Sequence, residues 1–123
     1  MTNLTIWAFD AAGDAESALL VLQGLADRGA IELHDAAAVS WQAGQQRPST
    51  TRLRRHESNA LDDSLIHALE AQLPQTRSAL LVRSSHGHYD EIRRAFRWTR
   101  NRLLSSDVDA DAAAALREVL RPD

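Results

Sequence analysis

The sequence predicts an α+β domain built on a four-stranded antiparallel sheet, with helices packed on one face. Three stretches lead there. Residues 78–84, Ser-Ala-Leu-Leu-Val-Arg-Ser, are apolar on both alternating sides over a length too short for a buried helix, which places them in the middle of a sheet. Residues 4–10 behave alike, since Leu4, Ile6 and Ala8 alternate with Thr5, Trp7 and Phe9. Residues 31–41 set Ile31, Leu33, Ala37, Val39 and Trp41 against Glu32, His34, Ala36, Ala38 and Ser40, the pattern of a half-exposed outer strand. Asp35 interrupts the apolar side and marks a bulge or bend.

The elements follow in order. After the first strand, Ala11-Ala12-Gly13 breaks the chain and Asp14 is placed to cap a helix whose apolar stripe is Ala18, Leu19, Leu22, Leu25 and Ala26. Gly29 stops it. Residues 42–59 lack apolar periodicity and contain Gly44, Pro48 and Arg52-Leu53-Arg54-Arg55, so they read as a flexible polar loop between two halves. Asp62 or Asp63 then caps an extra helix carrying Leu65, Ile66, Leu69 and Leu73, closed by Pro74. Beyond the central strand, Ser85-His86-Gly87-His88 turns into a helix over 89–97 that packs through Ile92, Ala95 and Phe96. A short strand over 101–105 and a C-terminal helix over 112–120 complete the chain.

Two strand–helix–strand halves in series point to the ferredoxin-like arrangement, with predicted strands in spatial order 4-1-3-2. That order puts the two strands with apolar residues on both sides at the centre. The alternative is a small doubly wound α/β sheet, disfavoured because a parallel sheet buries both faces of every strand. At 123 residues the chain reads as one domain, 1–123.

Composition narrows the function classes. Hydrophobic residues make up 44% and charged residues 25%, which suits a folded domain. With no cysteine, disulfides and thiolate metal sites are excluded. No basic segment precedes an apolar run at the N-terminus and no run reaches membrane-spanning length, so a soluble, cytoplasmic protein is expected. All 14 basic residues are Arg and the chain is rich in Ala, the composition a GC-rich bacterial genome produces. The net charge of −3 speaks against a nucleic-acid partner, although Arg93, Arg94, Arg97, Arg100 and Arg102 surround Trp98. These arginines read as a solvated, salt-bridged face.

No catalytic residue is predicted, because Ser, His and Asp occur without a nucleophile elbow or a recognisable spacing. His86 and His88 are two imidazoles one residue apart, which is too few ligands for a metal site, and no cofactor is implied. The leading expectation is a non-enzymatic interaction or assembly module. If helices cover one face of the sheet, Thr5, Glu32, His34 and Arg83 should mark the other, which then also carries Trp7, Phe9, Ala36, Ala38, Ala79 and Leu81. A patch with Trp and Phe is rarely left in water. The predicted outcome is a homodimer with Trp7, Phe9, His34, Ala36, Ala38, Leu81 and Arg83 at its interface, unless the last helix folds over the patch. The alternative is a regulatory domain binding a small ligand or nucleotide at the turn Ser84, Ser85, His86, Gly87 and His88, where backbone amides could hold an anion.

Leu4-Thr5-Ile6-Trp7-Ala8-Phe9-Asp10, Ala15-Glu16-Ser17-Ala18-Leu19 and Gly29-Ala30-Ile31-Glu32-Leu33-His34-Asp35-Ala36 resemble the opening of the bacterial family called domain of unknown function 1269. Leu61-Asp62-Asp63-Ser64-Leu65-Ile66 and Ser78-Ala79-Leu80-Leu81-Val82 resemble its second half. Members of that family often carry a glycine-rich hydrophobic insert between the halves and are labelled membrane proteins. In this chain the corresponding stretch, 42–59, is polar and rich in Arg, and the resemblance implies no functional residues.

Overall fold

The computed structural model describes residues 2–54, 63–85, 89–97 and 101–106. The described elements are β1 (Thr2–Phe9), α1 (Asp14–Asp27), β2 (Leu33–Ser40), β3 (Ser49–Arg54), α2 (Asp63–Gln72), β4 (Ser78–Ser85), α3 (Tyr89–Ala95) and β5 (Asn101–Ser106). The expected C-terminal helix over 112–120 lies outside the described residues.

The strands form one sheet in the order β3-β2-β4-β1-β5, and every neighbouring pair is antiparallel. Without β3 this is the predicted ferredoxin-like order, with β1 and β4 at the centre. The doubly wound alternative falls with the antiparallel pairing. The added strand lies where sequence predicts loop, because Ser49-Thr50-Thr51-Arg52-Leu53-Arg54 folds back on β2 as an edge strand. An edge strand packs only part of its surface, so it needs no apolar alternation, and its β-branched Thr50 and Thr51 favour extended backbone.

Side chains at paired positions share a face of the sheet. Trp7 stands opposite Leu80, Thr5 opposite Val82, and Ala36 and Ala38 opposite Val82 and Leu80. This face packs beneath α1 and α3 in a core of Trp7, Phe9, Leu22, Leu80, Val82, Ile92 and Phe96 with their neighbours. The Phe96 ring meets Trp7 edge-on at 4.9 Å between centroids and Phe9 at 6.0 Å. On the other face Leu4, Ile6, Ala8, Ala37, Val39, Ala79 and Leu81 pack with Leu65, Ile66, Leu69 and Leu73 of the α2 region. The two crossover helices thus share one face, and the extra helix occupies the other.

The register of β2 against β4 shifts between Leu33 and Asp35, which is the irregularity Asp35 predicts. Its effect is to change the phase of the strand. Ile31 and Leu33 join the α1–α3 core together with Ala36 and Ala38, while Ala37 and Val39 face α2.

Helix α1 ends as predicted at Gly29. The Ala30 amide donates to the Leu25 carbonyl at 2.9 Å and the Gly29 amide to the Ala26 carbonyl at 3.1 Å, with Gly29 at φ +74°, a complete Schellman closure. Its start differs from expectation. Asp14 is already helical, the capping position is Gly13 with no side-chain cap of its own, and the missing acceptor comes from β4. Ser78 Oγ accepts from the Ala15 amide at 3.1 Å and donates to the Ala11 carbonyl at 2.6 Å. Among the described residues no helix is long and apolar enough to cross a membrane.

Candidate functional site

The face predicted to be open is closed within a single chain. Trp7, Phe9, Ala36 and Ala38 are buried under α1 and α3, so they offer no surface to a second copy. Leu81 and Arg83 lie on the opposite face, the side where α2 packs, because the pairing Trp7↔Leu80 sets odd positions of β4 away from Trp7. His34 sits at the bulge, 8% exposed, where its Nε2 shares a 3.1 Å hydrogen bond with Ser85 Oγ. The predicted interface is therefore three separate buried environments. The register that decides this is not encoded in strands that are apolar on both sides.

Of the predicted ligand turn, Ser84 and Ser85 belong to the last residues of β4, whereas His86, Gly87 and His88 lie outside the described residues. Ser84 is 1% exposed, and among the described residues its hydroxyl has no hydrogen-bond partner. Ser85 is anchored to the bulge through its amide, which donates to the Glu32 carbonyl at 3.0 Å, and through its hydroxyl at His34. Glu32 Oε1 approaches the same His34 nitrogen at 3.9 Å. A serine–histidine–acid relay needs the acid on the opposite ring nitrogen, so these three residues are not arranged as one.

A charged network, not anticipated as a site, stands behind the bulge. Asp35, with a fully buried side chain, accepts from Arg52 Nη2 at 2.7 Å and from Arg52 Nε at 3.3 Å. Arg52 Nη1 donates to Asp63 at 2.8 Å, tying β3 and β2 to the start of α2. These bonds, first those to Asp35, raise the Arg52 guanidinium above its ordinary value against an opposing effect of burial. Arg83 pairs in register with Asp35, and burial lowers its guanidinium while the Asp35 charge opposes the shift. The alternation break at Asp35 and the Arg52 cluster were its two sequence signals. Their meeting depends on β3, which sequence reads as loop.

The other exposed feature of the sheet is its β3 edge. Strand β3 bonds only β2, and Ser49, Thr50 and Thr51 are exposed. The Thr50 hydroxyl donates to Glu70 of α2 at 2.8 Å, so α2 holds the strand on one face, and among the described residues no strand pairs with its outer edge.

No protein-family model matches the chain, and neither a curated protein nor a solved structure is significantly similar to it.

Proposed function

We propose that the protein is a non-enzymatic interaction and assembly module that associates with a second copy of itself along the outer edge of β3. The observation that carries this reading is the combination of an edge strand that, among the described residues, bonds a neighbour on one side only with two sheet faces whose apolar residues are buried within the chain. The backbone donors and acceptors along an open edge are a ready template for another strand.

A second copy suits the chemistry of this edge. Strand β3 contains no proline, and antiparallel pairing about its midpoint sets Ser49 opposite Arg54, Thr50 opposite Leu53 and Thr51 opposite Arg52. No two arginines then face each other. A cytoplasmic setting belongs to the same proposal, as does the absence of a nucleic-acid partner, which the net charge of −3 supports. So does the likeness to domain of unknown function 1269, which contributes no residue roles.

Light scattering tests it. The expected mass is twice the 13.6 kDa of one chain, and Thr51→Lys, which sets a cation on the edge opposite Arg52, is expected to return it to one chain without loss of fold. A single-chain mass for the unmodified protein at about 100 µM overturns the proposal, since mass action would already favour a dimer of useful affinity there.

A further inference from the structure

Three arginines of the chain's 14 share one concavity. Arg93, Arg94 and Arg97, with Asp90, line a hollow of about 390 Å³ on the outer side of α3, within the size range of small-molecule sites. Arg93 on α3 and Arg97 in the turn that follows it are both exposed.

Three other arginines sit against carboxylates, while Arg28 and Arg47, like Arg93 and Arg97, are exposed without one among the described residues but stand alone. Arg52 is bonded to Asp35 and Asp63, Arg77 to Asp10 at 3.3 Å, and Arg83 is packed beside Asp35. Arg94 reaches Glu91 only loosely, at 3.7 Å. Arg93 and Arg97 have no carboxylate partner among the described residues, in a chain where acidic residues outnumber basic ones by 17 to 14. Like charges gathered at one hollow repel each other. The C-terminal end of α3 offsets part of that repulsion for Arg93 and Arg94, but does not account for three guanidinium groups turned to one hollow.

We infer that this hollow is a binding site for a small phosphorylated ligand with adjacent phosphoryl groups, held by Arg93 and Arg97 with Arg94 at its side. Guanidinium presents paired donors that match phosphoryl oxygens, and among the described residues three positive charges at the hollow meet Asp90 and the loosely placed Glu91, which leaves the balance positive. Three guanidinium groups along one hollow can engage more oxygens than one phosphate offers, which favours a linked series of phosphoryl groups over orthophosphate. The site is separate from the β3 edge and does not depend on self-association.

Titration calorimetry of the full chain with inorganic triphosphate, at low ionic strength, tests the inference. Saturable one-to-one binding that weakens with added salt is expected. Arg93→Gln with Arg97→Gln should weaken it about a hundredfold, roughly a power of ten for each charge-assisted contact. Arg28→Gln with Arg47→Gln removes the same charge from two other exposed arginines and should leave binding unchanged. Equal losses in the two double variants, or no saturable binding to the unmodified chain, overturn the site. So does a single-stranded oligonucleotide that binds through the same arginines far more tightly than triphosphate, since the ligand is then a nucleic acid.

Discussion

Ser78 Oγ lies 3.1 Å from the Ala15 amide nitrogen, across 63 residues of chain. It therefore supplies from the central strand the acceptor that a helix start ordinarily takes from its own capping residue. The same hydroxyl donates to Ala11, so one side chain fixes both ends of the β1–α1 turn. A cap delivered by tertiary contact makes the start of α1 conditional on the pairing of β1 with β4.

Ser78→Ala is expected to lower stability by about 1–2 kcal/mol, the scale of losing a cap, with the hydroxyl's own buried bonds included. Denaturant titration measures it. Hydrogen exchange at Ala15 should rise more than at Leu22, and equal protection of both amides in the variant would show the cap to be dispensable.

Arg52→Ala and Asp63→Ala both break the Arg52–Asp63 pair, but Arg52→Ala also breaks the pair with Asp35, so the two should differ widely. Removing Arg52 takes the bidentate donor from a fully buried carboxylate that keeps the charge of Arg83 beside it, and should cost about 2–4 kcal/mol. Asp63 is 75% exposed, and its removal should cost less than about 1 kcal/mol. Thermal unfolding of the two variants checks the contrast, and similar losses would mean that Asp35 is stabilised from elsewhere.

Trp7→Ala should cost about 3–5 kcal/mol through the cavity left against Phe96 and Leu80, and Trp7→Glu should yield an unfolded chain, not a folded one of altered mass. Circular dichroism distinguishes these outcomes. A folded Trp7→Glu protein would contradict the burial of this face.

Two of the described positive-φ residues, Gly29 and Thr76, should respond to substitution in opposite directions. At Gly29 no atom lies within 4 Å of an added Cβ, so Gly29→Ala should cost about 1 kcal/mol from backbone conformation alone. Thr76, β-branched and at φ +71°, should gain about 1 kcal/mol on replacement by Gly. Melting temperatures of the two variants supply the check.

The sheet order was legible because β1 and β4 are apolar on both sides and β2 is long and alternating, which fixes who sits at the centre. The same property hid the faces. A strand with no polar side gives no signal against a one-residue slip, so the sequence groups Ala79 and Leu81 with Trp7, whereas the residues of β4 that share its face are Leu80 and Val82. The bulge at Asp35 was visible as a break in alternation, but its consequence, the change of phase after Leu33, needs the register. The β3 edge and the Arg52–Asp35 pair went unread for one reason: polar residues on an edge strand look like loop until their partner strand is known. Of the α3 hollow, the sequence offered the arginine cluster without showing which of its members would lack carboxylates.

The interleaved order of strands also bears on how the chain is made. Strand β4 stands between β1 and β2, although both precede it in sequence. A nascent chain that has released only its first 54 residues holds the β2–β3 hairpin but lacks the strand that joins it to β1, and α1 lacks the hydroxyl of Ser78. Assembly of the sheet's centre must wait until residue 85 has left the ribosome, and until then Trp7, Phe9 and the apolar side of α1 remain candidates for chaperone contact.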